Sequence, residues 1–443
     1  MLLFLCYKVG KYIKRGCLML DIGQCHRTEY ELTYGRSIPV AFAEAPGRIH
    51  FLGDQGEPEN GYFLSAAVDR YIHVAVNMRK DNSFRFFAAD LGERKRSTLA
   101  NLKYRREDRW ANHIKPAILL FLEMGYPLKG MNFSFCGDIP QHIALASSTA
   151  IEVAAATAIR SLLQKQGLNI QISDVDLAVK LKIAHDTMFA QTGVSSVQMS
   201  SANSNSESSV SAKISGGTAL ADYLALILTR KDHFLQIDTS SNESEYNLET
   251  NLIKSPFSRF RFLLVDSRVP RLGTGVESEL ASRKDDLLKG LAILSKKHKG
   301  AGFKDIAHTD LIEAIGHFPE QIRRRSMHIV DEIDRVKDAV DALERSDLAS
   351  FAKTIYRSHE SIRDLFEISC PEIDWLVKRA QEIEGAAGSR MTGIGFGGCT
   401  YTIIRRELAE EYKRRLEDYE RIFGFRPVIY EFKLATRARV IKG

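Results

Sequence analysis

Short runs of alternating apolar and polar residues dominate the first part of the chain and predict β-strands. Longer runs with apolar residues at helical spacing predict helices farther along. The predicted strands cover residues 38–53, with a Pro-Gly break, 70–89, 260–265 and 427–432, and the predicted helices cover 110–124, 151–163, 171–190, most of 305–388 and a segment from Glu407. The pattern predicts a mixed α and β protein, and its 443 residues are enough for two hydrophobic cores.

This periodicity stops between residues 195 and 211, where nine of seventeen residues are serine. Asn and Glu stand between the serines, and no apolar repeat is present. Such a composition cannot bury a core. We therefore predict a flexible surface insertion near residues 195–216.

The charge of the chain argues against a nucleic-acid partner. The formal net charge is +6, but Lys8, Lys11, Lys14 and Arg15 supply four positive charges before the first acidic residue. The remaining chain is nearly neutral, with a net charge of +2. A basic surface that attracts phosphate backbones is therefore not expected.

The cysteines and the N-terminus indicate the compartment. Six cysteines are spread along the chain without a C-x-x-C pair, which favours neither a disulfide framework nor a zinc site. Residues 1–7 are apolar but far too few to span a membrane, and the basic residues follow them instead of preceding them as in a signal peptide. We expect a cytoplasmic protein without a membrane partner, in which residues 1–18 are a disordered extension or a start-site artefact.

Six glycines lie within residues 385–400, directly before the apolar alternation of residues 401–404. Glycines at this density let backbone N–H groups approach an anion closely, so a phosphate contact is one interpretation. A β-bulge or a hairpin turn is the alternative, and the glycine count alone does not decide between them.

The sequence of this run is very similar to the C-terminal glycine motif of galactokinases, within the GHMP family of small-molecule kinases. The resemblance extends over about residues 42–435 and includes residues 45–53, 61–62, 67–69, 358–364 and 369–374. It implies a two-lobed α+β fold with ATP and sugar sites between the lobes. It also implies a first lobe over residues 19–235, which contains the insertion, and a second lobe over residues 236–443.

The first motif of the family implies a sugar site. In that pattern Arg48 stands beside the reacting hydroxyl and the transferring phosphoryl group, a role that suits a permanent, planar charge. Asp54, Gln55 and Glu57 would accept or share hydrogen bonds with sugar hydroxyls. Galactokinases carry Glu-His-Thr-Asp-Tyr where this chain has residues 54–58 as Asp-Gln-Gly-Glu-Pro. A sugar substrate is therefore implied, but the change leaves open which sugar.

The second motif implies a nucleotide site at the start of the alanine-rich helix. A hydroxyl cluster there is usually an N-cap, but the free N–H groups of a helix start also hold phosphates. His142 and Ala144 stand where the family has glycines. By resemblance, the ATP-binding residues are Ala144, Ala146, Ser147, Ser148, Gly395, Gly397 and Gly398, and the Mg²⁺ ligands are Ser148 and Asp186, although an exposed helix carboxylate is an equal alternative for Asp186.

The catalytic aspartate of the family can be matched in two ways. Nine residues after Phe189, where the family has this aspartate, the chain has Gln198, which cannot act as a base. Eleven residues before His233, by a second family spacing, the chain has Asp222. The two positions differ by 24 residues, about the length of the serine-rich insertion. We therefore predict Asp222 as the carboxylate that orients and deprotonates the sugar hydroxyl, with Gly217 close to the substrate.

The leading hypothesis is a galactokinase-like enzyme that uses ATP and Mg²⁺ to phosphorylate the anomeric hydroxyl of galactose or a related sugar. We expect a monomer whose partner is a small sugar. Two alternatives stay open: a sugar or nucleotide sensor that has kept the scaffold without turnover, and a kinase for another small alcohol. Changes in the phosphate and sugar loops motivate both.

Overall fold

The structure is a computed structural model that describes residues 41–55, 61–140, 143–190, 219–242, 245–270, 274–295 and 302–441. Its strands form two β-sheets. The eight-stranded first sheet consists of β1 (Ala41–Leu52), β2 (Tyr62–Met78), β3 (Ser83–Ala88), β4 (Glu93–Thr98), β5 (Met131–Gly137), β6 (His233–Asn242), β7 (Glu245–Lys254) and β12 (Arg439–Ile441), and the four-stranded second sheet of β8 (Phe260–Asp266), β9 (Ala386–Thr392), β10 (Cys399–Arg405) and β11 (Val428–Phe432).

In the first sheet the strand order is β12-β1-β2-β5-β3-β4, and β6 joins the N-terminal half of β2 and pairs with β7. All pairs are antiparallel except β3 with β5. The second sheet has the order β11-β8-β10-β9 and is antiparallel throughout. This mixed architecture confirms the α+β prediction.

The helices of the described residues are α1 (Lys115–Glu123), α2 (Ser147–Lys165), α3 (Asp174–Phe189), α4 (Leu220–Leu228), α5 (Thr274–Leu294), α6 (His308–Glu313), α7 (Glu320–Glu344), α8 (Leu348–Ser361), α9 (Pro371–Gln381), α10 (Ala409–Arg415) and α11 (Asp418–Phe423). Most residues of α2 are buried, and its alanines let the helix pack closely on β1 and β2. A 3-10 segment, Arg106–His113, precedes α1. Within the ranges above, none of these helices combines the length and the apolar composition that a membrane crossing requires.

The predicted boundaries differ from the observed ones for physical reasons. The alanine-rich helix starts at Ser147 and not at residue 151, because the hydroxyl residues form its first turn instead of capping it. The glycine-rich run is not one long loop: residues 386–392 form a strand, and only residues 393–398 form the turn between β9 and β10. The predicted lobe boundary at 235/236 falls inside β6. A boundary after Lys254 would keep every strand of the first sheet except β12 in one lobe, and the division into lobes stays a prediction.

Candidate active site

Arg48 and His50 lie two residues apart on β1, so their side chains leave the same face of the sheet. Both meet Asp222, the third residue of α4. Arg48 Nε donates to Asp222 Oδ1 at 2.5 Å, and His50 Nε2 lies 2.8 Å from the same oxygen. The other oxygen, Oδ2, accepts a hydrogen bond from the backbone N–H of Ala219 at 3.2 Å. The predicted acid and the predicted arginine are therefore in direct contact, although they are 174 residues apart in sequence.

The charge state of Asp222 is set by opposing effects. Burial acts to raise the pKa of this carboxyl, but the charge of Arg48 and the hydrogen bond from His50 outweigh it and hold the pKa well below its ordinary value of 3.8. Asp222 is only 5% exposed. At neutral pH the site therefore contains a buried, ionised carboxylate paired with a guanidinium, and the carboxylate can accept a hydrogen bond from a substrate hydroxyl.

The loop before α2 reaches the same arginine. The backbone N–H of Arg48 donates to the carbonyl of Leu145 at 3.1 Å, and Arg48 Nη1 donates to the carbonyl of Ala144 at 2.7 Å. Ala144 and Ala146 have φ values of 59° and 56°, in the left-handed region that glycine adopts most easily. The loop thus takes a conformation typical of glycine although it contains alanines.

The start of α2 has no side-chain cap. Its N-cap residue is Ala146, whose side chain has no oxygen atom to accept a hydrogen bond. Ser147 and Ser148 occupy the first two helical positions. The N–H groups of the first helical turn have no partners within the helix, and the helix dipole makes this end positive. This helix start can therefore bind an anion such as a nucleotide phosphate.

The turn between β9 and β10 closes the site from the second sheet. Gly393, Gly395, Gly397 and Gly398 all have φ values between 91° and 105°. A Cβ on Gly393 would lie 2.8 Å from the Cβ of Ala144, so the glycine turn lies against the loop that precedes α2. The turn is thus a hairpin, and it also forms one wall of the candidate site.

A buried ion cluster ties the loop after β1 to this turn. Arg390, which is fully buried, donates through Nη2 to Asp54 Oδ1 at 2.6 Å and to Glu332 Oε1 at 3.1 Å. Asp54 Oδ2 accepts the N–H of Gly393 at 3.1 Å. Gln55 Nε2 donates to the carbonyl of Gly393 at 2.5 Å. The side chains of Asp54 and Gln55 therefore already bind protein groups.

Three family models match the chain: the GHMP kinases N terminal domain over residues 112–194, GHMP kinases C terminal over 339–421, and the galactokinase galactose-binding signature over 28–78. The chain is 35% identical over 439 residues to a putative galactokinase of Treponema pallidum, covering 96% of this chain and 97% of the relative. The chain belongs to the GHMP kinase family. Its membership of this family supports an ATP-dependent phosphotransferase.

Other similarities agree with this membership of the GHMP kinases. A galactokinase of Roseiflexus sp. is 29% identical over 415 residues, covering 93% of this chain and 95% of the relative. The crystal structure of Lactococcus lactis galactokinase complexed with galactose superposes with a TM-score of 0.80 at 19% identity, over 94% of this chain and 99% of that one. Methanococcus jannaschii mevalonate kinase gives a TM-score of 0.56 at 16% identity, over 90% and 99%. The last two comparisons show that the fold is the predicted GHMP fold.

Not all residues predicted for this GHMP kinase site can be placed. Glu57, Gly217 and the rejected candidate Gln198 lie outside the described residues, as do residues 1–18 and the insertion at 195–216. Asp186 lies on α3 and forms an ion pair with Lys182. No group of three or more potential His, Cys, Asp or Glu metal ligands occurs among the described residues. The oxygens of Ser148 and Asp186 are of the class that Mg²⁺ prefers, so their chemistry fits the ion.

Sequence reasoning missed four polar residues around the site: His50, Ser65, Glu332 and Arg390. His50 could have been found, because on a predicted strand a residue two positions after Arg48 shares its face. Arg390 lies within the glycine run and could have been noted as its only cation. Nothing in the sequence around Glu332 distinguishes it from the other acidic residues on its helix.

Proposed function

We propose that this GHMP kinase transfers the γ-phosphoryl group of ATP to the anomeric hydroxyl of galactose or a closely related sugar, giving the sugar 1-phosphate and ADP. The observation that supports it most is the direct contact between Arg48 and Asp222 beside the uncapped start of α2. An arginine, a carboxylate and a phosphate-binding helix start are the parts that such a transfer needs. The names of the relatives and the galactose-binding signature support the choice of sugar.

In the proposed reaction Asp222 orients the sugar hydroxyl and receives its proton on Oδ2. The hydroxyl oxygen forms a bond to the γ-phosphorus as the bond from that phosphorus to the bridging oxygen breaks, and ADP leaves with the electron pair. A strongly basic carboxylate is not required, because the transition state is loose and the proton is transferred late. The Arg48 guanidinium offsets the negative charge that develops on the transferring group.

The nucleotide phosphates are proposed to lie against the loop of Ala144 and Ala146 and the N–H groups of Ser147 and Ser148. Gly395, Gly397 and Gly398 would border them from the opposite sheet. Ser148 and Asp186 are the residues that would hold Mg²⁺, and the ion would neutralise part of the phosphate charge when bound.

The sugar is proposed to contact the loop that begins at Asp54, with Gln55, Glu57 and Gly217 nearby. Because each oxygen of Asp54 already accepts a bond from Arg390 or Gly393, a sugar hydroxyl would have to use a remaining lone pair. Asp54 would then bind the sugar from a fixed position. A cytoplasmic protein remains part of this proposal, with the cysteine spacing as its support, and the monomer stays a prediction.

A sensor without turnover is the second candidate, and the left-handed alanines favour it. A non-glycine residue in this region is strained by about 1–2 kcal/mol, which could weaken the phosphate loop. Purified protein with ATP, Mg²⁺ and a panel of hexoses decides between the two. ADP release with one hexose, with a phosphate on C1 by ³¹P NMR, supports the kinase, whereas sugar binding by calorimetry without ADP release supports the sensor.

A further inference from the structure

His50 uses both ring nitrogens in the candidate active site. Its Nε2 lies 2.8 Å from Asp222 Oδ1, and its Nδ1 lies 2.6 Å from the hydroxyl of Ser65. Ser65 faces His50 directly across the β1–β2 pair and is fully buried. The ring also packs against Phe63 at a centroid distance of 5.2 Å. The imidazole is therefore held on three sides.

The ring is neutral at pH 7, and this fixes its tautomer. Burial lowers the pKa of His50 from 6.5 and Arg48 lowers it further, while the carboxylates of Asp222 and Asp54 act against these two effects without overcoming them. A neutral imidazole has one N–H, and an ionised carboxylate can only accept. The proton must therefore be on Nε2, which donates to Asp222, and Nδ1 accepts from the Ser65 hydroxyl.

The two donors on one oxygen make the carboxylate asymmetric. Arg48 and His50 both donate to Oδ1, whereas Oδ2 receives only the Ala219 N–H among the described residues. A carboxylate oxygen has two lone pairs, so Oδ1 is saturated and Oδ2 retains one acceptor position. Rotation of the carboxylate would break two charge-assisted bonds at once.

We propose that His50 is a positioning residue for phosphoryl transfer, which holds Oδ1 of Asp222 and thereby presents Oδ2 to the proton of the sugar hydroxyl. The inference rests on the proposed function. It adds to the Arg48–Asp222 pair a hydrogen-bonded chain of three residues, Ser65, His50 and Asp222. Arg48 alone could hold the carboxylate from one direction. His50 adds a second direction and so fixes its plane.

The test compares two substitutions of His50. In His50→Gln the amide nitrogen is the same number of bonds from Cα as Nε2 and can still donate to Asp222. In His50→Leu the volume is nearly kept but the donor is lost. We expect His50→Leu to lower kcat by about ten- to hundredfold, the value of one hydrogen bond to a charged group, with the KM for ATP little changed. His50→Gln should retain most of the wild-type rate.

A pH profile distinguishes positioning from packing. Because the His50 bond stabilises ionised Asp222, its loss raises the pKa of Asp222, and the acid limb of kcat/KM should move to higher pH in His50→Leu but not in His50→Gln. His73→Leu is a matched control: His73 is another largely buried histidine of the same sheet, 3.5 Å from a carboxylate oxygen of Glu44. It should leave the acid limb in place.

The ¹⁵N shifts of the His50 ring give a readout that does not depend on turnover. Labelled wild-type protein should show the neutral tautomer protonated on Nε2, with the resonance assigned by its loss in His50→Gln. If the wild type transfers phosphate but His50→Leu matches it in kcat and pH profile, or if Nδ1 is protonated, the inference is overturned while the proposed function stands. If the wild type transfers no phosphate to any sugar, the proposed function fails and the positioning role fails with it. The ¹⁵N shifts would still show whether His50 Nε2 carries the proton that it donates to Asp222.

Discussion

Arg390 offers the most sensitive test of how the two sheets are joined. It is fully buried, and its guanidinium holds Asp54 at 2.6 Å, Glu332 at 3.1 Å and the hydroxyl of Ser358 at 2.7 Å. Replacing it with methionine keeps much of the volume but removes the only cation that contacts Asp54 among the described residues. Glu332 would keep its pairing with Arg335 at 2.7 Å.

Because breaking a buried pair strands a buried charge, Arg390→Met should lower the free energy of unfolding by about 3–5 kcal/mol. Urea unfolding followed by circular dichroism measures this change. The double variant Arg390→Met with Asp54→Asn removes the stranded charge and should recover about 1–3 kcal/mol relative to simple additivity. Such a recovery would show that the loss arises from the ion pair and not from altered packing.

Arg415→Met is the matched control. Arg415 pairs with Glu411 at 2.6 Å on the surface helix α10, with its side chain 34% exposed. Exposed pairs of this kind contribute about 0–1 kcal/mol. If Arg390→Met is no more costly than Arg415→Met, the buried cluster does not join the first-motif loop to the second sheet, and the argument for a fixed Asp54 is refuted.

Three further predictions concern the loops and the pH dependence. Gly393→Ala should destabilise the protein by at least about 1 kcal/mol and weaken turnover, since its φ is +93° and the new Cβ would lie 2.8 Å from that of Ala144. Thermal unfolding and the KM for ATP measure these effects, and an unchanged melting temperature would contradict the prediction. Ala146→Gly should stabilise the chain by roughly 0.5–1 kcal/mol, because relief of left-handed strain exceeds the entropy cost of glycine; a loss of stability in urea would mean that φ is negative in solution. Since the folded-state pKa of Asp222 is depressed below 3.8, its ion pair with Arg48 stabilises the fold above that pH and is lost as pH falls through the folded value. Asp222→Asn should flatten this part of the plot of unfolding free energy against pH, and an unchanged acid dependence would show that Asp222 does not contribute.

The sequence was most informative where a local pattern has one structural solution. Alternation predicted the strand at residues 260–265, observed as Phe260–Asp266. The family spacing counted back from His233 pointed to Asp222, which the structure places against Arg48. Its role in catalysis stays a prediction. Short-range periodicity contained the information for the strand, whereas Asp222 also required the resemblance to galactokinases.

Other features depended on contacts that no local pattern shows. Alanine favours helices, so the residue type does not predict the left-handed conformations of Ala144 and Ala146, and the one sequence signal is that Ala144 stands where the family has a glycine. The hydrogen bonds from Arg48 to that loop show the tertiary contact that accompanies this backbone. The buried cluster around Arg390 likewise joins residues from a loop, a helix and a strand that are far apart in sequence, and only the folded chain brings them together.

Phosphoryl transfer by Asp222→Asn tests the central claim most directly. Asparagine keeps the shape of the side chain but cannot accept the sugar proton, so ADP release at saturating ATP and sugar should fall by about 10²–10⁴-fold, the range for loss of a general base, while nucleotide binding measured by calorimetry is retained. ADP release at the wild-type rate from the Asn variant would contradict the account, because the carboxylate beside Arg48 would then have no part in the reaction.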